Sequence, residues 1–248
     1  MFSIFRRNKP SSRIDLSGIG TDMHSHLLPG IDDGSPDTDT SLELIKGLEE
    51  LGFRNFITTP HVLWDLYRNT DETIGQAGDE LKLAAERAGR SLQLSAAAEY
   101  MMDDHFTEML RNKVPLRTLA QNFVLVEFSF VSLPFDWKQV FFDLQIQGYI
   151  PVLAHPERYN YLSAQPSIFR EIADMGVLLQ VNLNSLTGYY GKPALQLAQW
   201  LIKQNLVSFL GSDLHHQRHL EALRVSPSLQ PMVEHILDNG RLLNSLWT

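Results

Sequence analysis

Ile19-Gly20-Thr21-Asp22-Met23-His24-Ser25-His26 is the stretch from which the rest of the chain is best read. It is an apolar strand candidate, Ile19 to His24, running into two histidines one residue apart. Side chains of a strand alternate between faces, so residues i and i+2 share one. If the strand continues through the segment, His24 and His26 project together from its C-terminal end. Neutral imidazole is the commonest protein metal ligand. A lone His-x-His carries little, but a series follows it here: Asp32-Asp33-Gly34, Pro60-His61, Glu99, Glu127, His155-Pro156-Glu157-Arg158 and Asp213-Leu214-His215.

Further strand candidates are Phe53 to Thr58, Leu92 to Ala97, Phe123 to Phe128, Tyr149 to Ala154, Val177 to Leu183 and Leu206 to Leu210. Helical patterns lie between them. Leu42, Ile45 and Leu48 recur at three, with Gly52 beyond them; Ile74, Ala77, Leu81, Ala84 and Ala88 precede Gly89. Gly148 and Gly176 close two more helices in the same way, and Leu195 to Gln204 makes another. Alternating β and α units predict a parallel sheet. Ligand-type residues sit at or just past the C-terminal ends of six of these strands. That is the end where barrel active sites are built, and an open sheet does not easily bring six strand ends together. The expected fold is therefore one α/β domain, a distorted (β/α)7 TIM-like barrel over residues 19–248. A C-terminal helical tail begins near residue 217, with Leu220 and Leu223 in one helix and Val233, Ile236 and Leu237 in the next. Residues 1–18 are expected to form a flexible extension, with Arg6, Arg7 and Lys9 as a basic tail.

The length of 248 residues suits one barrel domain. Hydrophobic residues at 44% and charged residues at 20% are ordinary for a globular protein. A net charge of -8 argues against nucleic acid as a partner. The absence of cysteine excludes disulfides, thiolate zinc sites and cysteine nucleophiles, and fits a cytoplasmic location. No run of apolar residues reaches the roughly 20 needed to span a bilayer.

The candidate ligands are His24, His26, Asp33, His61, Glu99, Glu127, His155, Asp213 and His215. Nitrogen and oxygen donors without thiolate suit manganese, zinc or iron better than calcium. The set is too large for one tetrahedral ion and suits two or three that share carboxylates. Three divalent ions against four carboxylates leave a local charge of about +2, which attracts a phosphate dianion. Such a cluster can clamp two phosphate oxygens and lower the pKa of bound water to about 7, so that hydroxide attacks phosphorus. Arg158 and Arg218 are candidates to fork phosphate oxygens. Asp22 is expected to support a ligand or the structure. His105, His216, His219 and His235 are left to surface or packing roles. Each ligand candidate alone has a plain alternative: a hydrogen-bonded histidine, a salt-bridged carboxylate, or a turn at Asp32-Asp33-Gly34. Those alternatives must all hold together to dismiss the site.

Asp22-Met23-His24-Ser25-His26, Asp32-Asp33-Gly34, Thr59-Pro60-His61, Glu99, Glu127, His155-Pro156-Glu157-Arg158-Tyr159 and Ser212-Asp213-Leu214-His215 resemble the polymerase-and-histidinol-phosphatase (PHP) superfamily. Within it, the chain is most similar to the bacterial protein tyrosine phosphatases of capsular and exopolysaccharide operons. The resemblance runs from about residue 19 to 220. It implies a trinuclear, usually manganese-dependent site. His24, His26, Glu99 and Asp213 would hold one ion; Glu99, Glu127 and His155 a second; Asp33, His61 and His215 a third. The implied substrate is phosphotyrosine in the C-terminal tail of a bacterial tyrosine kinase that controls polysaccharide polymerisation and export. The family arginine beyond the last Asp-x-His falls in a shortened local sequence here, which leaves Arg218 as its counterpart. A phosphotyrosine ring needs an apolar slot. Val62, Leu63, Trp64 and Tyr67 offer one wall and Phe128 and Phe130 another, unless they merely pack the loops. Two other functions stay open: a small-molecule phosphatase of histidinol-phosphate type, and a non-catalytic metal-binding scaffold that docks the kinase.

Overall fold

All the expected strands form, and every pairing between them is parallel. The computed structural model of the chain describes residues 14–247. The strands are β1 (Thr21–Asp22), β2 (Asn55–Thr58), β3 (His61–Val62), β4 (Gln93–Ala96), β5 (Glu99–Met101), β6 (Phe123–Glu127), β7 (Ile150–Leu153), β8 (Leu178–Asn182) and β9 (Val207–Gly211). They pair in the orders β1-β2-β4 and β3-β5-β6-β7-β8-β9. Pro60, which has no N–H, separates β2 from β3. Hydrogen bonds nonetheless carry the pairing across the break, from Ala97 N to Thr58 O at 2.8 Å and from Glu99 N to Pro60 O at 3.0 Å. The segments β2–β3 and β4–β5 thus act as one strand each, which reduces the nine to seven staves.

The ring closes between the first and last staves. Asp213 N donates to His24 O at 2.7 Å and His26 N to Leu214 O at 2.9 Å. Asp22 clasps the same seam, accepting from Ser212 N at 2.8 Å and from Ser212 Oγ–H at 2.6 Å. Next to this clasp, one step back along the seam, the buried Asn244 side chain bridges β1 and β9. Its Nδ2 donates to Thr21 O and Leu210 O, and its Oδ1 accepts from Leu210 N. The architecture is the distorted seven-stranded barrel expected from the sequence.

Helices α1 (Thr38–Glu50), α2 (Asp71–Arg87), α3 (Asp104–Arg111), α4 (Trp137–Ile146), α5 (Ser167–Asp174), α6 (Leu183–Thr187) and α7 (Lys192–Lys203) follow the staves. The tail adds α8 (Gln217–Val225) and α9 (Leu229–Asp238). Asp37 caps α1 by accepting from Thr40 N, and a Thr70/Thr73 capping box starts α2. Gly52 ends the first helical unit at φ +110, where a Cβ would sit 2.6 Å from Ser17 N. Strand alternation divides the core. Met23, Ile57, Ala97, Leu125, Val152, Ala154 and Phe209 cluster inside the ring, while Val124, Val126, Leu153, Leu179, Val181 and Leu210 face the helices. Trp247, stacked on Phe209 at 4.9 Å, plugs the bottom of the inner cluster.

Residues 1–13 of the expected extension, with its basic tail, lie outside the described residues. Ile14 and Leu16 are buried in the main core, so the packed chain begins before residue 19. Among the described residues no helix is long and apolar enough to cross a membrane.

Candidate metal centre

The ends of the staves deliver all nine expected side chains to one place. His24, His26, Glu99, Glu127, His155 and Asp213 are buried, while His61, His215 and Asp33 stand nearer solvent. Two of the residues reach inward through strained backbone: His155 has φ 31 and Asp213 φ 49, values favoured by glycine. Each follows the end of its strand, so the left-handed turn swings the side chain over the barrel mouth. Two glycines permit the close approach of the loops. A Cβ on Gly34 would overlap His26, and one on Gly211 would lie 2.6 Å from the His24 Cβ.

At the floor, His24 Nε2, His26 Nε2 and Asp213 Oδ1 form a triangle with every edge 3.4 Å. Such a face belongs to a tetrahedron whose centre is about 2.1 Å from each corner, the usual zinc–nitrogen distance. Glu99 Oε2 approaches the same two imidazoles, at 3.2 Å from His24 and 3.4 Å from His26. The outer nitrogens decide which way the lone pairs point. His24 Nδ1–H donates to Gln180 Oε1 and His26 Nδ1–H to Asp32 Oδ2, each at 2.8 Å. Both Nε2 lone pairs therefore face each other and two carboxylates, an arrangement that calls for a cation between them.

Glu99 also joins the floor to its neighbours. Its Oε1 lies 3.0 Å from His155 Nε2, and its Oε2 lies 3.2 Å from His61 Nδ1. Glu127 reaches His61 Nδ1 at 3.0 Å and His155 Nε2 at 3.7 Å. Nearest the mouth, Asp33 Oδ1 stands 3.6 Å from both His61 Nε2 and His215 Nε2. His26, Asp33, His61 and His215 form one group that could hold an ion; His24, His26 and Asp213, then His24, Glu99 and His155, then His61, Glu99 and Glu127 form others. His61 Nδ1, Glu99 Oε2 and Glu127 Oε2 are buried without a hydrogen-bond partner, which is costly unless a cation satisfies them. The donor set fits borderline divalent transition ions.

The charges reinforce one another. Burial opposes ionisation of Glu99 and Asp213, yet the surrounding histidines, His24 foremost, hold both carboxyls well below their usual range. Burial alone would lower His61, but Glu127 and Glu99 push it up to about 9. His215 goes the other way, to about 3, through burial and the stacked His26 ring 3.9 Å away. Asp32 is lowered to about 2 by His26 and His61 despite its burial. The pocket is a field of negative carboxylates that takes up positive charge.

Arg158 enters the mouth, its Nη1 donating to Asp213 Oδ2 at 2.8 Å. Its guanidinium lies between two rings, 4.6 Å from the centroid of Phe130 and 4.3 Å from that of Tyr190. A cavity of about 210 Å³ opens there, lined by Arg158, Phe130, Tyr190, His216, His219 and the outer ligands. Arg218 is not part of it. It is exposed on α8, whereas His219, three residues after His216, turns inward with its Nδ1 3.1 Å from Asp213 O. The expected aromatic slot also differs. Phe130 stands at the mouth, stacked on His155, and Tyr67 stacks on His61. Phe128 is fully buried against Phe141 and Tyr159, because it follows inward-facing Glu127 and so points to the helices. Val62 and Trp64 line a separate cavity with His105.

Several residues at the site were given no role of their own from the sequence, although Asp32 and Glu157 stood within its motifs. Gln180 Oε1 accepts from His24 and from His155 N (3.2 Å), and its Nε2 donates to Asn182 Oδ1 at 2.9 Å. Asn182 Nδ2 in turn donates to Asp213 Oδ2 at 2.6 Å. Asp32 accepts from His26 and from His61 N. Their signal was present: Gln180 and Asn182 are two polar residues at i and i+2 in an otherwise apolar strand, hence on one face. The buried Glu157 accepts from Asn182 N and Ser185 Oγ–H, tying the loop after β7 to the start of α6.

The chain is similar to several known proteins. The family model for capsular polysaccharide synthesis proteins, CpsB/CapC, matches residues 20–236. The chain is 32% identical to the tyrosine-protein phosphatase YwqE of Bacillus subtilis strain 168, over 79% of this chain and 77% of that protein. It is 30% identical to the tyrosine-protein phosphatase CpsB of Streptococcus agalactiae, over 79% and 82% respectively. A chain from the crystal structures of YwqE from B. subtilis and CpsB from Streptococcus pneumoniae, described as metal-dependent tyrosine phosphatases, superposes with a TM-score of 0.75. That match has 29% identity and covers 88% of this chain and 94% of the other. The shared barrel and the length of the matched span place this protein in the CpsB/CapC family.

Proposed function

We propose that the chain is a metal-dependent protein tyrosine phosphatase of polysaccharide synthesis. Its relatives carry that activity in their names. The observation in the chain itself that carries the reading is the confrontation of His24 Nε2 and His26 Nε2 with Glu99 and Asp213 beneath the cavity that Arg158 borders. We assign three divalent ions, manganese in the cell, to His24, His26, Glu99 and Asp213; to Glu99, Glu127 and His155; and to Asp33, His61 and His215. Such ions supply Lewis acidity and lower the pKa of coordinated water to about 7. The chain's own groups do the rest. Arg158, held between Phe130 and Tyr190, presents a planar fork to phosphate oxygens. Gln180 and Asp32 keep two imidazoles in the tautomer whose Nε2 is free. A phenolate leaving group needs little protonation, so no dedicated acid is required. The substrate we infer is a phosphotyrosyl protein, a tyrosine kinase of the polysaccharide machinery. The phosphatase domain is assigned to residues 19–248, with Ile14 and Leu16 of the preceding segment packed into its core.

The test uses purified protein loaded with Mn²⁺, a phosphotyrosyl peptide and histidinol phosphate. The expected result is phosphate release from the peptide, abolished by a chelator and restored by Mn²⁺. Turnover of histidinol phosphate without peptide hydrolysis would overturn the tyrosine assignment. Peptide hydrolysis undiminished in thoroughly chelated protein would overturn the metal dependence.

A further inference from the structure

The loop leaving β6 holds large apolar side chains in water. Phe130 is 46% exposed, Val131 86% and Phe135 104%. Single apolar residues on a surface are ordinary, but a group beside a binding mouth marks a contact surface. The root of the loop is fastened: Tyr161 O–H donates to Ser129 O at 3.0 Å, and Val131 N to Ser129 Oγ at 3.2 Å. Phe130 joins the loop to the site, since it lines the cavity and stacks on His155 at 5.4 Å. Phe130 thus stands at the mouth, and the chain leaving it carries the exposed Val131 and Phe135, whereas His216, Gln217 and Arg218, at the start of α8, are exposed and polar.

We propose that Val131 and Phe135 form a docking surface for apolar side chains of the polypeptide that carries the phosphotyrosine, and so set a sequence preference for hydrolysis. This rests on the phosphatase reading. The occupant follows from the geometry of the mouth. A phosphotyrosyl side chain reaching the cavity leaves its own backbone at the rim, and an extended chain then advances ~3.3 Å per residue. Side chains about two to four residues away come to lie ~7–13 Å along the rim, over the loop that continues from Phe130. A small aryl phosphate ends at the mouth and does not meet that surface.

The experiment compares the Mn²⁺-loaded wild type with a Val131→Ser/Phe135→Ser double variant. Both positions are exposed, so the fold is expected to survive, as circular dichroism and Tm check. Substrates are p-nitrophenyl phosphate and two phosphotyrosyl peptides, one flanked by leucines and one by serines. The wild type should favour the leucine peptide by about tenfold in kcat/KM. The double variant should lose that preference while hydrolysing p-nitrophenyl phosphate as before. Equal use of both peptides by the wild type would overturn the docking surface and leave the phosphatase reading intact; failure on both peptides would strike the phosphatase reading itself. Sedimentation showing a dimer that the double variant dissolves, with peptide preference intact, would assign the surface to a second copy and overturn the proposal. So would binding to phosphatidylglycerol vesicles that the double variant alone loses.

Discussion

Gln180→Met removes no expected ligand and should nevertheless disable metal binding. The side chain is fully buried, and methionine is close to it in length. In the native protein a one-way chain of hydrogen bonds runs from His24 Nδ1–H to Gln180, from Gln180 to Asn182 and from Asn182 to Asp213. Two ligands of the same ion-sized triangle are thus oriented through one amide. Methionine leaves His24 Nδ1–H, His155 N–H and Asn182 Oδ1 without partners. At the low end of about 1–3 kcal/mol for each buried orphan, the loss is roughly 3 kcal/mol of stability. For a domain of this size that lowers Tm by about 6–12 °C. The functional loss has a separate scale. Freed from Gln180, the His24 ring can turn or change tautomer, and loss of such outer partners costs about 10–100-fold in metal affinity. Titration calorimetry of metal-free protein with Mn²⁺ reads the affinity, and thermal unfolding without metal reads the stability. Gln180→Glu separates the two effects. It can still accept from His24 and His155, but it opposes an acceptor to Asn182 Oδ1, so that amide flips its Nδ2 toward position 180 and its Oδ1 toward Asp213, which loses a donor. Wild-type Mn²⁺ affinity in Gln180→Met would refute the claim that the amide chain sets the lone-pair directions.

Arg158→Ala should lower kcat/KM for a phosphotyrosyl peptide by roughly 10–150-fold, the worth of a charge-assisted hydrogen bond. Arg158→Lys should recover only part, because an ammonium lacks the fork; unchanged steady-state constants in Arg158→Ala would take the residue out of phosphate binding. Gly34→Ala places a methyl group against His26 and displaces the loop carrying Asp32 and Asp33. Its metal content after dialysis should fall below that of wild type, and full loading by elemental analysis would contradict the crowding argument. Asp22 titrates at about 6 because burial raises it, against Ser212 hydrogen bonds that lower it. The folded chain therefore keeps a proton that the unfolded chain has lost above about pH 4. Unfolding free energy contributed by this group falls as pH rises from about 4 to 6, by roughly 3 kcal/mol. Asp22→Asn has no such proton, so denaturation at pH 4.5 and 6.5 should show a shallower decline than wild type; equal declines would refute the assignment.

The ligands were legible because imidazoles and carboxylates at strand ends are chemically conspicuous, and period-two alternation says which of them face inward. The same alternation, applied one residue further, would have excluded Phe128 from the mouth, since Glu127 already takes the inward side. Arg218 illustrates a different limit. The chain enters α8 at Gln217, and on a helix residues three apart share a face. His216 and His219 therefore come together, with ring centroids 4.1 Å apart, while Arg218 is rotated out to solvent. Without the position of that helix start, a basic residue near the last ligand was the natural choice for phosphate.

The sixth stave shows most clearly why counting ligands understates the site. β8 delivers no expected ligand, and from the sequence it was only a strand that completed the ring. In the barrel its inward side chains, Gln180 and Asn182, stand between the loops of β1, β7 and β9 and are bonded to all three. Glu157, from the loop after β7, binds the Asn182 backbone in return. A barrel whose seam closes between β1 and β9 brings His24 and Asp213 together by backbone hydrogen bonds. Backbone alone does not settle which nitrogen of His24, or which oxygen of Asp213, meets the cation. That choice is made by neutral amides, whose fixed donor and acceptor ends impose direction without adding charge to a site already dense with carboxylates. A carboxylate at position 180 could take the histidine proton equally well, but it would add one more negative charge and lose the donor end. The amide pair is therefore the arrangement that orients ligands across the ring while leaving the charge of the pocket to the residues that hold the ions.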